Sequence, residues 1–318
     1  MSSPPIAPNA GAIDSDWMTR ALRAAGAIGD SRVVDVAAKP VGNGLVGDSF
    51  RFTLTYDQAE PNAPATVVGK FAAADPSSRA SGAGHRLYLR EVTFYKEVAP
   101  TVGMFTPRPF YAAIDEATDD FTLIFEDLAP ARQGDQLEGC SIADARTAML
   151  EAAALHAPRW NDPKLVETPW LNFGQDLLPQ LAPVIPGVVA AFLERYDGRL
   201  SAQHLALVER LPDVMPAVWG VRDGPFTVQH GDFRLDNILF DVMGGAHRMG
   251  TLDWQTVCRG PGALDVAYFL SAGVSPEVRR GSEADLVRAY HEELKRLGVS
   301  DYSWDDCWRD YRRYAVHG

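Results

Sequence analysis

Apolar and polar positions follow one rhythm in the first part of this chain and another in the rest. Residues 50–56 (Phe-Arg-Phe-Thr-Leu-Thr-Tyr) alternate apolar and polar, with aromatic and β-branched side chains, which predicts a half-buried strand. Residues 33–38 and 66–71 also read as strands, and 121–126 as an apolar strand whose composition changes at Asp127. Asp14-Ser15-Asp16 ahead of 17–25, with Gly26 behind, reads as a capped helix with a glycine stop. A helix is predicted over 87–98, with Leu87, Val92, Tyr95 and Val98 on one side and Pro100 limiting it. Beyond Asp127 helical patterns dominate. Ser141-x-x-Asp144 caps a helix to His156, and 160–219 holds many prolines among apolar helical runs, 177–196 being especially apolar. An apolar helix follows at 263–270; Ser282-x-x-Asp285 caps another to Leu297 before Gly298; 304–317 is amphipathic. Strand patterns thus dominate the first part of the chain and helical patterns the rest.

Short apolar runs interrupt the helical part around a polar loop: Val228-Gln229-His230-Gly231-Asp232-Phe233-Arg234-Leu235-Asp236-Asn237-Ile238-Leu239-Phe240 reads strand, loop, strand. The loop holds His230, Asp232 and Asn237 as H-x-D-x-x-x-x-N, and the next apolar run, Met249 to Leu252, delivers Asp253 onto a turn. Phosphoryl transfer needs such a set: one carboxylate to orient the attacking hydroxyl and accept its proton, and an amide oxygen with a second carboxylate to hold Mg²⁺ against the triphosphate. Asp232 fits the first role, Asn237 and Asp253 the second.

Upstream, Gly42-Asn43-Gly44-Leu45-Val46-Gly47 has the spacing G-x-G-x-x-G. A dinucleotide-binding site would follow it with a helix, whereas here a strand follows, as in loops whose backbone N–H groups cover phosphates. Lys70, one of five lysines in the chain, sits inside an apolar strand, where an ammonium is costly unless paired. Glu91, on the 87–98 helix, is the expected partner; Glu97 is the weaker candidate, lying close to Pro100.

The runs HGDFRLDNILF and GTLDWQ resemble the aminoglycoside phosphotransferase and choline-kinase-like small-molecule kinases (the ecdysteroid-kinase-like enzymes among them) of the protein-kinase-like fold, over most of the chain. The resemblance implies an α+β fold of two lobes: an antiparallel-sheet N-lobe over 1–127, and a mainly helical C-lobe over 128–318 with a helical insertion at about 160–219 shaping the acceptor pocket. It implies that Gly42, Gly44, Gly47, Lys70 and Glu91 serve the nucleotide and that the backbone near Glu126 and Leu128 meets the adenine. Asp265 would brace the catalytic loop, and His230 would orient it by hydrogen bonding. Arg234 stands where kinases often place a cation on the γ-phosphate; the alternative is a surface arginine at the rim. Gly231 replaces the arginine by which protein kinases sense a phosphorylated loop, Trp254-Gln255 replaces Phe-Gly, and no A-P-E follows, so the site is expected to be assembled constitutively.

Composition narrows the partners. With 42 acidic and 30 basic residues the net charge is −12, which argues against a general binder of nucleic acid or anionic membrane. Cys140, Cys258 and Cys307 are far apart and odd in number, so a disulfide framework or zinc site is not expected and a reducing cytoplasm is the default. Residues 1–12 read as a flexible Pro- and Ala-rich tail with no signal-peptide character, and no apolar run approaches a membrane span. His156, alone on an apolar helix, is expected to be structural. The reading is therefore an ATP- and Mg²⁺-dependent kinase acting on a hydroxyl of a small, partly apolar molecule. Two alternatives stand beside it: a nucleotide-binding pseudokinase without transfer activity, and a dehydrogenase resting on the glycine motif.

Overall fold

A computed structural model describes residues 3–42, 44, 46–220 and 224–317. In chain order its strands are β1 (Val33–Pro40), β2 (Gly47–Tyr56), β3 (Thr66–Ala72), β4 (Pro109–Asp115), β5 (Asp120–Glu126), β6 (Arg132–Gln133), β7 (Thr227–Gln229), β8 (Ile238–Asp241), β9 (His247–Thr251) and β10 (Cys258–Gly260). Its helices are α1 (Ser15–Ala24), α2 (Pro76–Gly84), α3 (Leu87–Thr93), α4 (Ile142–His156), α5 (Phe173–Leu181), α6 (Ile185–Arg195), α7 (Ala202–Glu209), α8 (Leu211–Gly220), α9 (Gly262–Gly273), α10 (Pro276–Arg296) and α11 (Trp304–Tyr314). Short single turns connect several of them. The chain divides into two compact units: Met1–Asp135 with Leu235–Thr256, and Gln136–Arg234 with Val257–Gly318. Residues 235–256 thus group with the first part of the chain, where the pattern of the sequence suggested one break near Asp127.

The first unit is built on an antiparallel sheet of order β1-β2-β3-β5-β4, in which Lys70 lies opposite Ser49 on β2 and Leu123 on β5. One face packs against α1, where Trp17, Met18 and Leu22 meet Phe52, Val67, Phe71, Tyr111 and Ile124 in a closed apolar core. A smaller sheet, β6-β8-β9, belongs to the same unit.

The expected tail is not one from Pro4 onward. The Ala7 N–H and carbonyl bond the buried Thr122 hydroxyl at 2.9 and 2.8 Å, the Trp17 indole N–H donates to Pro5 O at 2.7 Å, and the Tyr111 hydroxyl donates to Pro4 O. Buried donors need acceptors, and this segment supplies them while burying Ala7, Ala10 and Ile13. The helix bearing Glu91 is also less regular than its sequence suggests: α3 passes into a π-helical segment at Phe94–Val98, with Phe94, Tyr95 and Val98 all buried.

In the second unit β7 pairs with β10, and α4 packs on α9 and α10 through buried Ala145, Ala148, Ala152 and Ala153. α10 begins seven residues earlier than the Ser282 cap would allow: Ser275 caps it, accepting from the Val278 N–H, and Ser282 bonds back to the Val278 carbonyl within the helix. The stretch 173–220 is helical as expected, yet α6 and α7 bury no residue. No helix among the described residues is long and apolar enough to cross a membrane.

Candidate active site

In the first unit the Lys70 Nζ lies 2.9 Å from Oε1 and 2.7 Å from Oε2 of Glu91, and 3.1 Å from Oδ1 of Asp253. β3 carries the lysine, α3 the glutamate, and the turn after β9 the aspartate. Glu91 is 1% exposed, and without the lysine its burial would be expensive. Burial pushes the Lys70 ammonium down, but two carboxylates outweigh that and hold it above its usual range. Burial raises the Glu91 carboxyl, and Asp253 adds to this against the lysine's pull, so it sits above its usual range. Of the two carboxylates that share this ammonium, Asp253 is the more exposed.

Asn237 is brought to Asp253 by strand register: Ile238 lies opposite Thr251, and the Leu252 N–H donates to Asn237 O at 2.9 Å. The two residues therefore cap the ends of neighbouring strands. Asp253 holds a left-handed backbone, φ 62°, a conformation that aspartate tolerates better than most side chains and that collects at functional turns. Gly47 lines the same place. A Cβ there would come within 3.1 Å of Phe71 O and 3.3 Å of Lys70 Cε, so glycine keeps open the space beside the lysine. Of the glycine motif, Gly42 has φ 75° and a Cβ on Gly44 would strike Gly47 O, while Asn43 and Leu45 lie outside the described residues.

At the end of β5, Glu126 pairs across to Val67, and its N–H donates to Arg108 O. Asp127 beside it grips Arg51 through two contacts, at 2.7 and 3.1 Å, and accepts the Ala129 N–H, which fixes the chain after the strand. The Leu128 carbonyl accepts from Met243 N–H; among the described residues nothing accepts from the Leu128 N–H.

The second unit holds the other half of the set. Asp265, fully buried on α9, accepts the backbone N–H groups of His230 (2.7 Å) and Gly231 (3.0 Å) and lies 3.3 Å from His156 Nε2, whose other ring nitrogen is 2.9 Å from the Tyr290 hydroxyl. Burial alone would raise the Asp265 carboxyl, but His156 and the backbone donors outweigh it and hold it below the usual carboxylate range. Gly262 makes room for this network, since a Cβ there would lie 2.7 Å from His156 Nδ1 and 2.7 Å from the Tyr290 oxygen. His230 turns its Nδ1 to the Asp232 N–H at 3.2 Å, which orients the loop, and Gly231 takes φ 82°. Asp232 emerges partly exposed, accepting from the Tyr268 hydroxyl at 3.0 Å, with Arg234 Nε 3.2 Å away.

The structure thus brings Lys70, Glu91, Asp253, Asn237 and Gly47 together in one unit and Asp232 and Arg234 in the other. Glu126 and Leu128 stand apart at the end of β5. Tyr268 was not anticipated, although it follows Asp265 by three residues and so shares its helix face. The pairing of His156 with Asp265 had no local signal.

With this geometry in hand, comparison decides the family. A model of the phosphotransferase enzyme family matches residues 79–302. The chain belongs to the phosphotransferase enzyme family. Among solved structures it is similar to the Plasmodium vivax ethanolamine kinase, at 14% identity and TM-score 0.51 over 88% of this chain and 73% of that one. It is also similar to the choline kinase of Cryptosporidium parvum, at 7% identity and TM-score 0.52 over 88% of this chain and 80% of that one. At such identities the likeness is one of fold, and this phosphotransferase has the protein-kinase-like α+β architecture. No significant match is found among curated protein sequences.

Proposed function

We propose that this phosphotransferase moves the γ-phosphate of ATP, with Mg²⁺, onto a hydroxyl of a small, partly apolar molecule. The observation that carries the reading is the Lys70–Glu91–Asp253 cluster, in which a buried glutamate orients a lysine that also meets the more exposed Asp253. Asn237 and Asp253 would hold the metal: a carboxylate and an amide on neighbouring strand ends are hard oxygen donors of the kind Mg²⁺ takes. When bound, the metal would offset the negative charge of the phosphates.

The rest falls to the chain. Lys70 would pair with the α- and β-phosphates, Gly42, Gly44 and Gly47 would let the backbone approach them, and the Leu128 N–H, with the backbone at Glu126, would meet the adenine. Asp232 would orient the acceptor hydroxyl and take its proton, its carboxylate steadied by Tyr268. Arg234, already turned to Asp232, would reach the transferring phosphoryl group, since a guanidinium stays charged and can hold two oxygens at once. In this reading the first unit serves the nucleotide and the second carries the group that meets the acceptor. The partly apolar acceptor is supported by the α6–α7 surface, where Val184, Val188, Phe192 and Leu207 are exposed.

The test is an ATP-consumption screen over a chemically diverse alcohol library, with Mg²⁺ present and absent. Metal-dependent turnover with at least one alcohol is expected. Tight ATP binding without turnover across the whole panel would point instead to a pseudokinase.

A further inference from the structure

Gln255 stands where the protein-kinase motif Asp-Phe-Gly ends on glycine, so this chain places a side chain where that motif has none. The side chain is an amide, and the fold buries it. Gln255 is 5% exposed, on the single turn Trp254–Thr256, with the fully buried Trp254 before it and Val257 just after. Its Nε2 is closed off from solvent, and among the described residues nothing accepts a hydrogen bond from it. A buried N–H without an acceptor is expensive, and folded chains keep few of them. The turn cannot swing this one out to water, because the Trp254 ring beneath it is held to β9 by its own N–H, which donates to Thr251 O at 3.3 Å.

The place of this amide says what it fits. A Cβ on Gly47 would meet Lys70 Cε at 3.3 Å and Gln255 Nε2 at 3.6 Å, so the lysine stem and the amide converge on the space that glycine leaves open. All three residues belong to the first unit. The nearby carbonyl of Val46 is already engaged, accepting from the Tyr88 hydroxyl at 2.7 Å. An acceptor from outside the chain that enters here stands beside an ammonium, which selects an anion. A second cation at this point would be drawn to Glu91 or Asp253, the carboxylates that hold Lys70; a neutral amide is not, and keeps its N–H for the ligand.

We propose that the Gln255 amide donates to a phosphate oxygen of the bound nucleotide, a further contact beside Lys70 and the glycine motif. The contact deepens the phosphotransfer reading above and rests on it for the identity of the anion. That the amide lacks a partner within the fold does not rest on that reading.

Two measurements on the full chain separate these claims. Calorimetry with Mg²⁺ present compares ATP, ADP, adenosine and inorganic tripolyphosphate. Gln255→Leu keeps the size and removes the donor; it should weaken ATP, ADP and tripolyphosphate by about tenfold to a hundredfold, the worth of one hydrogen bond to a charged group, and leave adenosine within about twofold. Gln255→Glu, ionised at the pH of the assay, has no N–H and brings a negative charge, so it should weaken ATP at least as much. Denaturant unfolding of the unliganded chain reads the amide itself. The Gln255→Leu midpoint should equal or exceed that of the wild type, because the substitution removes a buried donor that the fold does not satisfy.

An equal loss for adenosine would overturn the contact, since it would mean that the whole pocket had been disturbed. Tighter Mg·ATP binding in Gln255→Glu would overturn it too, because an oxygen on the metal and not an N–H on a phosphate gives that result. A clear fall in the unliganded Gln255→Leu midpoint would show the amide already bonded inside the fold. The two readings fail separately. A wild type that binds tripolyphosphate through Gln255 but binds no ATP would sink the ATP reading and keep the phosphate contact. A wild type that binds ATP no better than Gln255→Leu does would sink the contact and keep the ATP reading.

Discussion

Two regions of the second unit, the loop frame around Asp265 and the helices from α5 to α8, stand at opposite ends of constraint. Around Asp265 the polar contacts are buried or half-buried and paired: two backbone N–H groups and a histidine meet one carboxylate, and Thr227 donates to the His156 carbonyl at 2.6 Å. Along α6 most side chains are apolar and yet none is buried, Val188 being 63% exposed and Phe192 38%. A buried polar group must be paired or it costs several kcal/mol, so it commits its surroundings to one geometry. An exposed apolar face makes no such commitment, and its meaning waits on what binds it. The frame therefore constrains the chemistry proposed above, and the helices bear only on the proposed choice of acceptor.

The largest expected effect sharpens this contrast. Asp232→Asn should lower kcat by about 10² to 10⁴ while the fold and ATP binding stay near wild type, because the frame beneath the loop does not depend on that carboxylate. Turnover together with calorimetric ATP affinity checks it, and near-wild-type turnover would remove Asp232 from the base role. Asn237→Ala and Asp253→Ala should each weaken Mg²⁺-dependent ATP binding, whereas a Mg²⁺ titration unchanged in both would rule out metal ligation.

Asp265 breaks the frame itself. Asp265→Ala leaves the buried His230 N–H and the half-buried Gly231 N–H without this acceptor, at about 1–3 kcal/mol for the buried donor, so denaturant midpoints should fall even where activity is not measured. The folded state holds this carboxyl below the usual range, so it binds its proton less readily than the unfolded chain does. Its contribution is complete above the unfolded value near ~3.9 and is lost as pH falls through the lower folded value. Wild-type stability should therefore drop in acid below about pH 4, and Asp265→Ala should drop less steeply there. Equal acid profiles would mean that other carboxylates dominate.

Arg234 should matter less. Its guanidinium neighbours Asp232, and if it also reaches the phosphoryl group in flight, Arg234→Ala should lower kcat by about 10- to 100-fold with a smaller rise in KM for ATP. Arg234→Lys should recover only part of the loss. Equal kcat in wild type and Arg234→Ala would make it a rim residue.

What could be read from the sequence follows the same contrast. Lys70 stood out because an ammonium in an apolar strand demands a partner, and Glu91 lay on the next helix; the ion pair is there at 2.7 Å. The bracing of His230 and Gly231 by Asp265 came from the resemblance and is present. Other features left no local trace. The docking of Ala7 on Thr122 joins residues 115 apart, and no pattern within the first dozen residues shows that the sheet has an unmet hydroxyl. The π-helical turn keeps an ordinary helical composition. Residues 235–256 group with the first unit through strand pairing of β6, β8 and β9, which a single boundary near Asp127 could not express.

The smallest effect addresses the unconstrained side. Val188→Thr preserves shape and replaces one exposed methyl by a hydroxyl on a helix that buries nothing, so stability should change by no more than about 0.5 kcal/mol. If this face meets a partly apolar acceptor, losing the apolar contact of one methyl should raise the acceptor KM by about threefold to fivefold, with KM for ATP untouched. Val188→Asp separates the chemistries further, because a carboxylate there should weaken a partly apolar acceptor and strengthen a polycationic one. Acceptor KM values for both variants, taken with whichever alcohol the screen finds, decide the matter. Unchanged values in both would detach α6 from the acceptor, and a stability loss well above 1 kcal/mol would show that the face is packed after all, erasing the contrast with Asp265.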